Sequence, residues 1–434
     1  MTPDALPDYL RHSLAGIRGR LVLGYSGGLD SSVLLSALCR AGLADRLLAV
    51  HVHHGLHGDA DQWLAHCRRQ AERAGVDFIA ERVDVAGKGN LEQRARRARR
   101  QALLGHVGEQ DALLLAHHRQ DQAETLMLRL LRGAGARGLA AMAPVQCWRG
   151  RDIYRPLLAV SRADLENAAA LWQLPWIDDP ANDQMHFDRN FLRHRVMPVV
   201  TERWSEAAKS MQLSASVLAE QAELLDELAW QDFVGCDGAG DNLALAGWSE
   251  LSPARRRNLI YGWCRRRGIR PPPVDRVARI DTELMPAAED RQPEICWPDG
   301  ALRRYRQRLW LLSPSAREPL AGSHLWRPAE QSQFCVGQVL VRLAETGELV
   351  LKATGQPLQI RAAEGGERIL LRGHHRQVSE LWRIAGIPPW QRQRLPLFFI
   401  GDELVAAAAI GVADDWSAAP GEAAYRLTIE DSAL

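Results

Sequence analysis

LVLGYSGGLDSSVLLSAL, residues 21–38, passes from an apolar run through two glycines, an aspartate and two serines into a segment of helical period. An apolar strand that ends in a glycine turn and resumes as a helix is the first half of a βαβ unit. The flanking sequence repeats the pattern: apolar runs in RLVLGY, RLLAVHVHH, VDFIAERVDV and DALLLAHH alternate with helical segments near 31–41, 60–74, 90–107 and 121–132. The expected fold class is therefore α/β, with a parallel sheet built by residues 1–205.

Past PWIDDPANDQMHFDRNFLRHRVMPVV (175–200) the rhythm changes. Residues 206–313 read as a mainly helical domain, whose clearest amphipathic stretch is SASVLAEQAELLDELAWQDFV. A Pro-, Gly- and Ser-rich SPSAREPLAGSHLWRPA opens residues 314–434, a small α+β domain in which VLVRLAETGELVLKA predicts a short hairpin. Three domains suit 434 residues at about 150 residues each.

The turn after the first strand carries chemistry. Parallel sheets place ligands beyond the carboxyl ends of their strands, which is where Ser26–Ser31 lies. Gly27 and Gly28 let the backbone bend and bring amide N–H groups close to an anion, and the dipole of a helix starting near Ser31 favours the same charge. Ser26, Ser31 and Ser32 add hydroxyls, so the segment reads as a phosphate cradle. It lacks the lysine of the Gly-x-x-x-x-Gly-Lys-Ser/Thr loop. Asp30 would repel phosphates unless a divalent cation bridged them, which makes it a metal-ligand candidate.

Composition narrows the setting. Fifty-four basic against 53 acidic residues leave a net charge of +1, which hides an unevenness. The basic residues are almost all arginine, clustered at 94–100, 255–257, 265–270 and 303–308, the side chain suited to bidentate phosphate contacts. No apolar run is long enough to cross a bilayer and the first residues carry no secretory pattern, so a cytoplasmic location and no membrane partner are expected. Seven scattered cysteines without a Cys-x-x-Cys pair read as reduced thiols.

SGGLDS (26–31) resembles the pyrophosphatase (PP) loop of the N-type ATP pyrophosphatases, and the order of the further motifs is similar to the tRNA(Ile)-lysidine synthetase family. Those motifs are HVHHGL (51–56), NLEQRARRAR (90–99), AHHRQDQAETLMLRLLRGAGARGLAAM (116–142), RPLL (155–158), DRNFLRHRVMP (188–198) and AGIPPWQRQRLPLFFIGDELVAAAA (385–409). The resemblance implies a Rossmann-like, HUP-type catalytic domain that uses ATP and Mg2+. It also implies that the C2 oxygen of the wobble cytidine in a CAU-anticodon isoleucine tRNA is adenylated, and that free L-lysine then displaces AMP. The implied ATP-binding set is Ser26, Gly27, Gly28, Leu29, Asp30, Ser31 and His53, and a homodimer is part of the same expectation. A related sulfur-transfer enzyme would need a Cys-x-x-Cys or persulfide cysteine, an amidating one a glutaminase module, and a non-catalytic binder would not need the intact loop.

The candidates for acid–base and charge chemistry cluster in AHHRQDQAET. His117 and His118 end a strand on the side of the sheet where Asp30 lies, and Asp121 and Glu124 follow three apart on one helix face. Asp121 and Glu124 equally suit a helix cap and its capping-box partner. The family pattern has two adjacent acids where this chain has Gln120 and Asp121, so the role rests on Asp121, as catalytic group and second metal ligand. His53 and His54 are candidates for the adenine pocket or form a solvated strand end, and Arg94 and Arg97, three apart, suit phosphate or the wobble base or a solvated helix face. By motif match, Asn190 and Arg195 join the substrate set with Glu124, while Arg193 joins the catalytic set of Asp30, His118 and Asp121 as the group that neutralises the adenylate.

Overall fold

The computed structural model describes residues 1–431 apart from 54, 56–57, 85–90, 288–290 and 292, and His54 thus lies outside the described residues. The chain divides into two compact units, Met1–Leu224 and Leu225–Leu434.

In the first unit, α1 (Ala5–Ser13) precedes β1 (Leu21–Gly24), α2 (Leu29–Arg40), β2 (Leu47–His53), α3 (Ala60–Arg73), β3 (Asp77–Arg82), α4 (Leu91–Gly105), β4 (Ala112–Leu114) and α5 (Arg119–Leu131). The short α6 (Ala136–Leu139) leads to β5 (Val145–Trp148), β6 (Arg151–Tyr154) and α7 (Arg162–Leu171). The sheet order is β3-β2-β1-β4-β6-β5, parallel except for β5. The strands are apolar on both faces because both faces are covered. Alternate side chains separate the layers: Leu21, Leu23, Leu47 and Ala49 pack with α1, α2, α3 and α7, whereas Val22, Leu48 and Val50 pack with Leu103 of α4 and Val107 just after it.

After α7, α8 (Asp188–Phe191), a wider π turn (Leu192–Val196) and α9 (Met197–Arg203) follow one another without a break. The 29-residue α10 (Ala207–Gly235) begins against α5, where Ala208 meets Ala123 and Ala215 meets Leu126.

The second unit carries β7 (Asn242–Ala244), α11 (Leu245–Glu250), α12 (Pro253–Arg266) and α13 (Val274–Arg279), then β8 (Glu294–Trp297), β9 (Gly300–Tyr305) and β10 (Arg308–Leu312). The helical segment thus also contains an antiparallel sheet, β7-β10-β9-β8, around a core of Trp248, Leu259, Trp263 and Leu302. Beyond it lie β11 (Ser323–Trp326), β12 (Gln333–Val336), β13 (Val339–Leu343), β14 (Leu349–Lys352), β15 (Leu358–Arg361), β16 (Arg368–Leu371) and β17 (His374–Gln377). Helices α14 (Val378–Ile384) and α15 (Pro389–Arg392), and strands β18 (Leu397–Ile400), β19 (Glu403–Ala407), β20 (Gly411–Val412) and β21 (Ala424–Asp431), complete it. The expected hairpin over VLVRLAETGELVLKA is corrected: β13 and β14 do not pair with each other, because β21 lies between them in the order β12-β13-β21-β14.

Candidate active site

The strand order reverses at β1, with β2 and β3 on one side and β4 on the other, and a cleft of about 1690 Å³ opens beyond the strand ends there. The loop after β1 forms one wall. Gly27 adopts φ +81°, and a Cβ on it would lie 2.7 Å from Cys67 Sγ and 2.8 Å from Ile177 Cδ1, so glycine is demanded by both conformation and space. The Gly27 carbonyl accepts from the Ile177 N–H at 2.9 Å, tying the loop to the segment after α7. Ser26 Oγ stands 3.1 Å from Ser31 Oγ, which donates to the Gly28 carbonyl at 3.0 Å. The helix starts at Leu29, two residues before the expected Ser31, with an extended Gly28 at its cap and no side chain over its first N–H groups. Those amides remain available to an anion.

The opposite wall comes from the end of β4 and the start of α5. His118 is the α5 cap: its Nδ1 accepts from the Gln120 N–H at 3.2 Å, while its own N–H donates to Asp121 Oδ2 at 3.0 Å. Asp121 therefore serves as the capping-box partner as well as facing the cleft. With Nδ1 used as acceptor, the proton of the neutral ring sits on Nε2. That atom lies 3.8 Å from Asp30 Oδ2 and 3.5 Å from Asp121 Oδ2, bringing Asp30, His118 and Asp121 together. Burial pushes the Asp30 carboxyl above its ordinary value, against the pull of His118 and of Arg162, whose guanidinium donates to Asp30 Oδ1 at 2.8 Å. Burial acts the same way on Asp121, but His118 and Arg189 outweigh it and hold that carboxyl at about 2. Burial presses His117 down to about 3, leaving a neutral ring whose buried Nδ1 lacks a hydrogen-bond partner.

Glu124, 2% exposed, is held by two guanidiniums: Arg193 Nε donates to its Oε1 at 2.7 Å and Arg189 Nε to its Oε2 at 2.8 Å. Both arginines also reach Asp121 Oδ1, at 3.1 Å and 3.2 Å. They project from the helix that contains the π turn, a winding often found where a side chain must be re-aimed at a functional site. Gln120 Oε1 accepts from the Arg162 N–H at 2.8 Å, so the residue standing in for the family's acid holds the first turn of α7.

The other expected residues are placed as follows. Ser26, Gly28, Leu29, Asp30, Ser31, His118, Asp121, Glu124, Asn190 and Arg193 line the cleft. His53 is buried 3.2 Å from Asp61 Oδ1, away from the lining. Arg94, Arg97 and the exposed Arg195 also lie outside it; from α4 it is Arg96, Arg99 and Arg100 that face the cleft. Sequence reasoning missed these three, together with Arg155, Arg162 and Arg189. The spacing of 96, 99 and 100 marks one helix face, and 189 and 193 another, but spacing alone does not say which face turns inward. Several distal arginines are engaged locally, Arg256 with Asp281, Arg303 with Glu294 and Arg308 with Asp237. The hairpin of β16 and β17, by contrast, exposes His374, His375 and Arg376. All seven cysteines are free, and no helix among the described residues is long and apolar enough to cross a membrane.

Residues 12–200 match the family model described as a PP-loop domain, 243–310 a TilS substrate binding domain and 358–429 a TilS substrate C-terminal domain. A tRNA(Ile)-lysidine synthase of Alkalilimnicola ehrlichii is 40% identical, covering 99% of this chain and 98% of its own. One of Yersinia pseudotuberculosis is 36% identical, covering 95% and 96%. Among solved structures, a U34-tRNA thiolase of Methanococcus maripaludis is similar at a TM-score of 0.42 and 16% identity, over 50% of this chain and 79% of that one. With a PP-loop and both substrate domains in order, and relatives aligned end to end, the chain belongs to the tRNA(Ile)-lysidine synthase family.

Proposed function

We propose that this chain is an ATP-dependent ligase that joins the ε-amine of free L-lysine to C2 of the wobble cytidine in the CAU-anticodon isoleucine tRNA, changing the codon read from AUG to AUA. The observation that carries the reading is the meeting of Asp30, His118 and Asp121 at the mouth of the glycine–serine loop, in one cleft. Residues 1–205 hold the chemistry in this reading, and 206–313 and 314–434 hold the tRNA.

In the first step the cytosine C2 oxygen attacks the α-phosphorus of ATP, and the bond to the β-phosphate oxygen breaks. Pyrophosphate leaves with that electron pair, against the uncapped amide of Leu29 at the helix start and the hydroxyls of Ser26 and Ser31. Magnesium is bound through one or two carboxylates together with phosphate oxygens and water. Asp30 and Asp121, on either side of His118 Nε2, are a donor set of that kind; no cage of three or more His, Cys, Asp or Glu exists among the described residues. When bound there, the ion would stabilise negative charge on the departing phosphates. His118, its Nε2 protonated, donates toward the same charge rather than accepting a proton, and Arg193 neutralises the adenylate.

In the second step the lysine amine attacks C2, the C2–O bond to AMP breaks, and the amine gives up its proton. An ammonium with a pKa near 10.4 is almost wholly protonated at pH 7. Asp121, ionised and facing the cleft, holds the lysine ammonium beside C2 by its charge, and the proton passes to water as the amine bonds. A reducing, cytoplasmic setting agrees with seven unpaired cysteines. A homodimer rests on the family resemblance alone. The test separates the two steps. Without lysine, the protein should transfer label from α-labelled ATP to the CAU isoleucine tRNA, and added lysine should chase that label into AMP. Release of AMP with no RNA-bound intermediate, and no effect of lysine on it, would contradict the mechanism.

A further inference from the structure

The cleft has a second, purely cationic end. Arg155 follows β6 and is 6% exposed. It donates through one terminal nitrogen to the Ala143 carbonyl at 2.8 Å and through the other to Gln146 Oε1 at 2.9 Å, while its buried Nε has no partner. Burial holds its pKa at about 10, and its charged neighbours Arg100 and Arg129 add to the lowering. Arg129 donates only to the Gly138 and Ala141 carbonyls, both at 2.7 Å, and Arg100 stacks over Trp148 at 4.6 Å from the ring centroid. Among the described residues none of these three guanidiniums has a carboxylate partner, although all three line the cleft. Elsewhere in the same cleft Arg162 is paired with Asp30, and Arg189 and Arg193 with Glu124.

A buried cation whose nearest charges are also cations is costly unless a ligand compensates it. We propose that Arg155, flanked by Arg129 and Arg100, is a subsite for a backbone phosphate of the RNA substrate, separate from the loop that takes the triphosphate. Three guanidiniums, one just after β6, one on α5 and one on α4, exceed what one amino-acid carboxylate can use. A chain of phosphates presents charges repeatedly, and Arg96 and Arg99 extend the lining along α4. Trp148, 37% exposed, lies beneath Arg100 and holds that guanidinium by its ring face. The subsite rests on the proposal that RNA is the acceptor, and it assigns the entry side of the cleft to that RNA.

The test uses the full-length protein and an RNA hairpin carrying the CAU anticodon loop, with hairpin affinity measured from low to moderate salt. ATP affinity and the KM for lysine are measured beside it. Arg155→Gln should weaken hairpin binding at least tenfold and reduce the salt slope by about one, leaving ATP affinity and lysine KM within twofold. Arg155→Lys should recover part of the affinity by restoring the charge. Arg100→Gln, at the rim, gives the same readout should Arg155→Gln fail to fold. Unchanged hairpin affinity and slope would overturn the subsite. So would a rise confined to lysine KM, which marks a carboxylate subsite, or a loss confined to ATP affinity, which marks a triphosphate one. Hairpin binding needs no ligation. Arg155-dependent binding by a protein that makes no lysidine would therefore sink the proposed reaction and spare the subsite, and normal lysidine formation with Arg155-independent binding would do the reverse.

Discussion

Asp30 sits between the Arg162 guanidinium and the His118 ring, and it is the one carboxylate that the phosphate loop itself contributes. Asp30→Asn keeps the volume and an oxygen for Arg162 but removes the charge that a cation needs. We expect AMP formation to fall at least 10²-fold with the thermal midpoint little changed; near-normal tRNA-dependent AMP release would remove Asp30 from metal binding. His117 gives a pH signature. Its pKa is held at about 3 in the fold against an ordinary 6.5, so below pH 6.5 the unfolded chain binds a proton that the native state refuses. Stability is full above 6.5 and is lost as pH falls towards 3, by up to about 1.4 kcal/mol for each pH unit in that interval. His117→Gln should flatten this part of the curve in denaturant titrations from pH 7 to 4, whereas an unchanged slope would mean that the ring protonates freely in the native state. The sequence shows Asp30, His118 and Asp121 through their places at strand ends. It does not show Arg162 or Arg155, because nothing local says that a residue 132 positions away will meet Asp30, or that a guanidinium will be left without an acid.

Helix α5 and the π-turned helix beginning at α8 meet through Glu124, Arg189 and Arg193. Removing both arginines leaves a nearly inaccessible carboxylate unpaired, a change that typically costs about 3–5 kcal/mol. Arg189→Gln with Arg193→Gln should therefore destabilise by about that amount, and adding Glu124→Gln should recover most of it. Additive effects across the cycle would show that the groups do not interact in solution. The continuous apolar runs of β1, β2 and β4 and the helical periods between them made the parallel sheet legible, because that pattern has few other ways to bury both faces. The C-terminal sheet was not legible in the same way. VLVRLAETGELVLKA has the look of a local hairpin, and the strand that separates its halves, β21, arrives from the far end of the chain.

In the proposed reading, the cleft of the first unit does the chemistry and the second unit holds the tRNA. In the second unit Trp390 packs on Ala301, Leu312 and Ala316, and Arg394 donates to the Ser315 and Glu318 carbonyls and pairs with Asp431. A cut after residue 313 would tear this packing, so substitutions on the intact chain report tRNA binding more cleanly. Replacing the exposed Arg368, Arg372 and Arg376 by glutamine should weaken tRNA binding at least tenfold and make it less salt-dependent, with ATP affinity unchanged. Equal affinity and equal slope would place tRNA recognition elsewhere. The reaction itself is tested most directly by incubating the full-length protein with ATP, magnesium, labelled lysine and an in vitro transcript of the CAU isoleucine tRNA, beside a methionine tRNA with the same anticodon. We expect one lysine per isoleucine tRNA, at the wobble cytidine and matched by AMP, and none in the methionine tRNA. No lysine in either RNA, from protein shown to bind ATP and tRNA, would contradict the account.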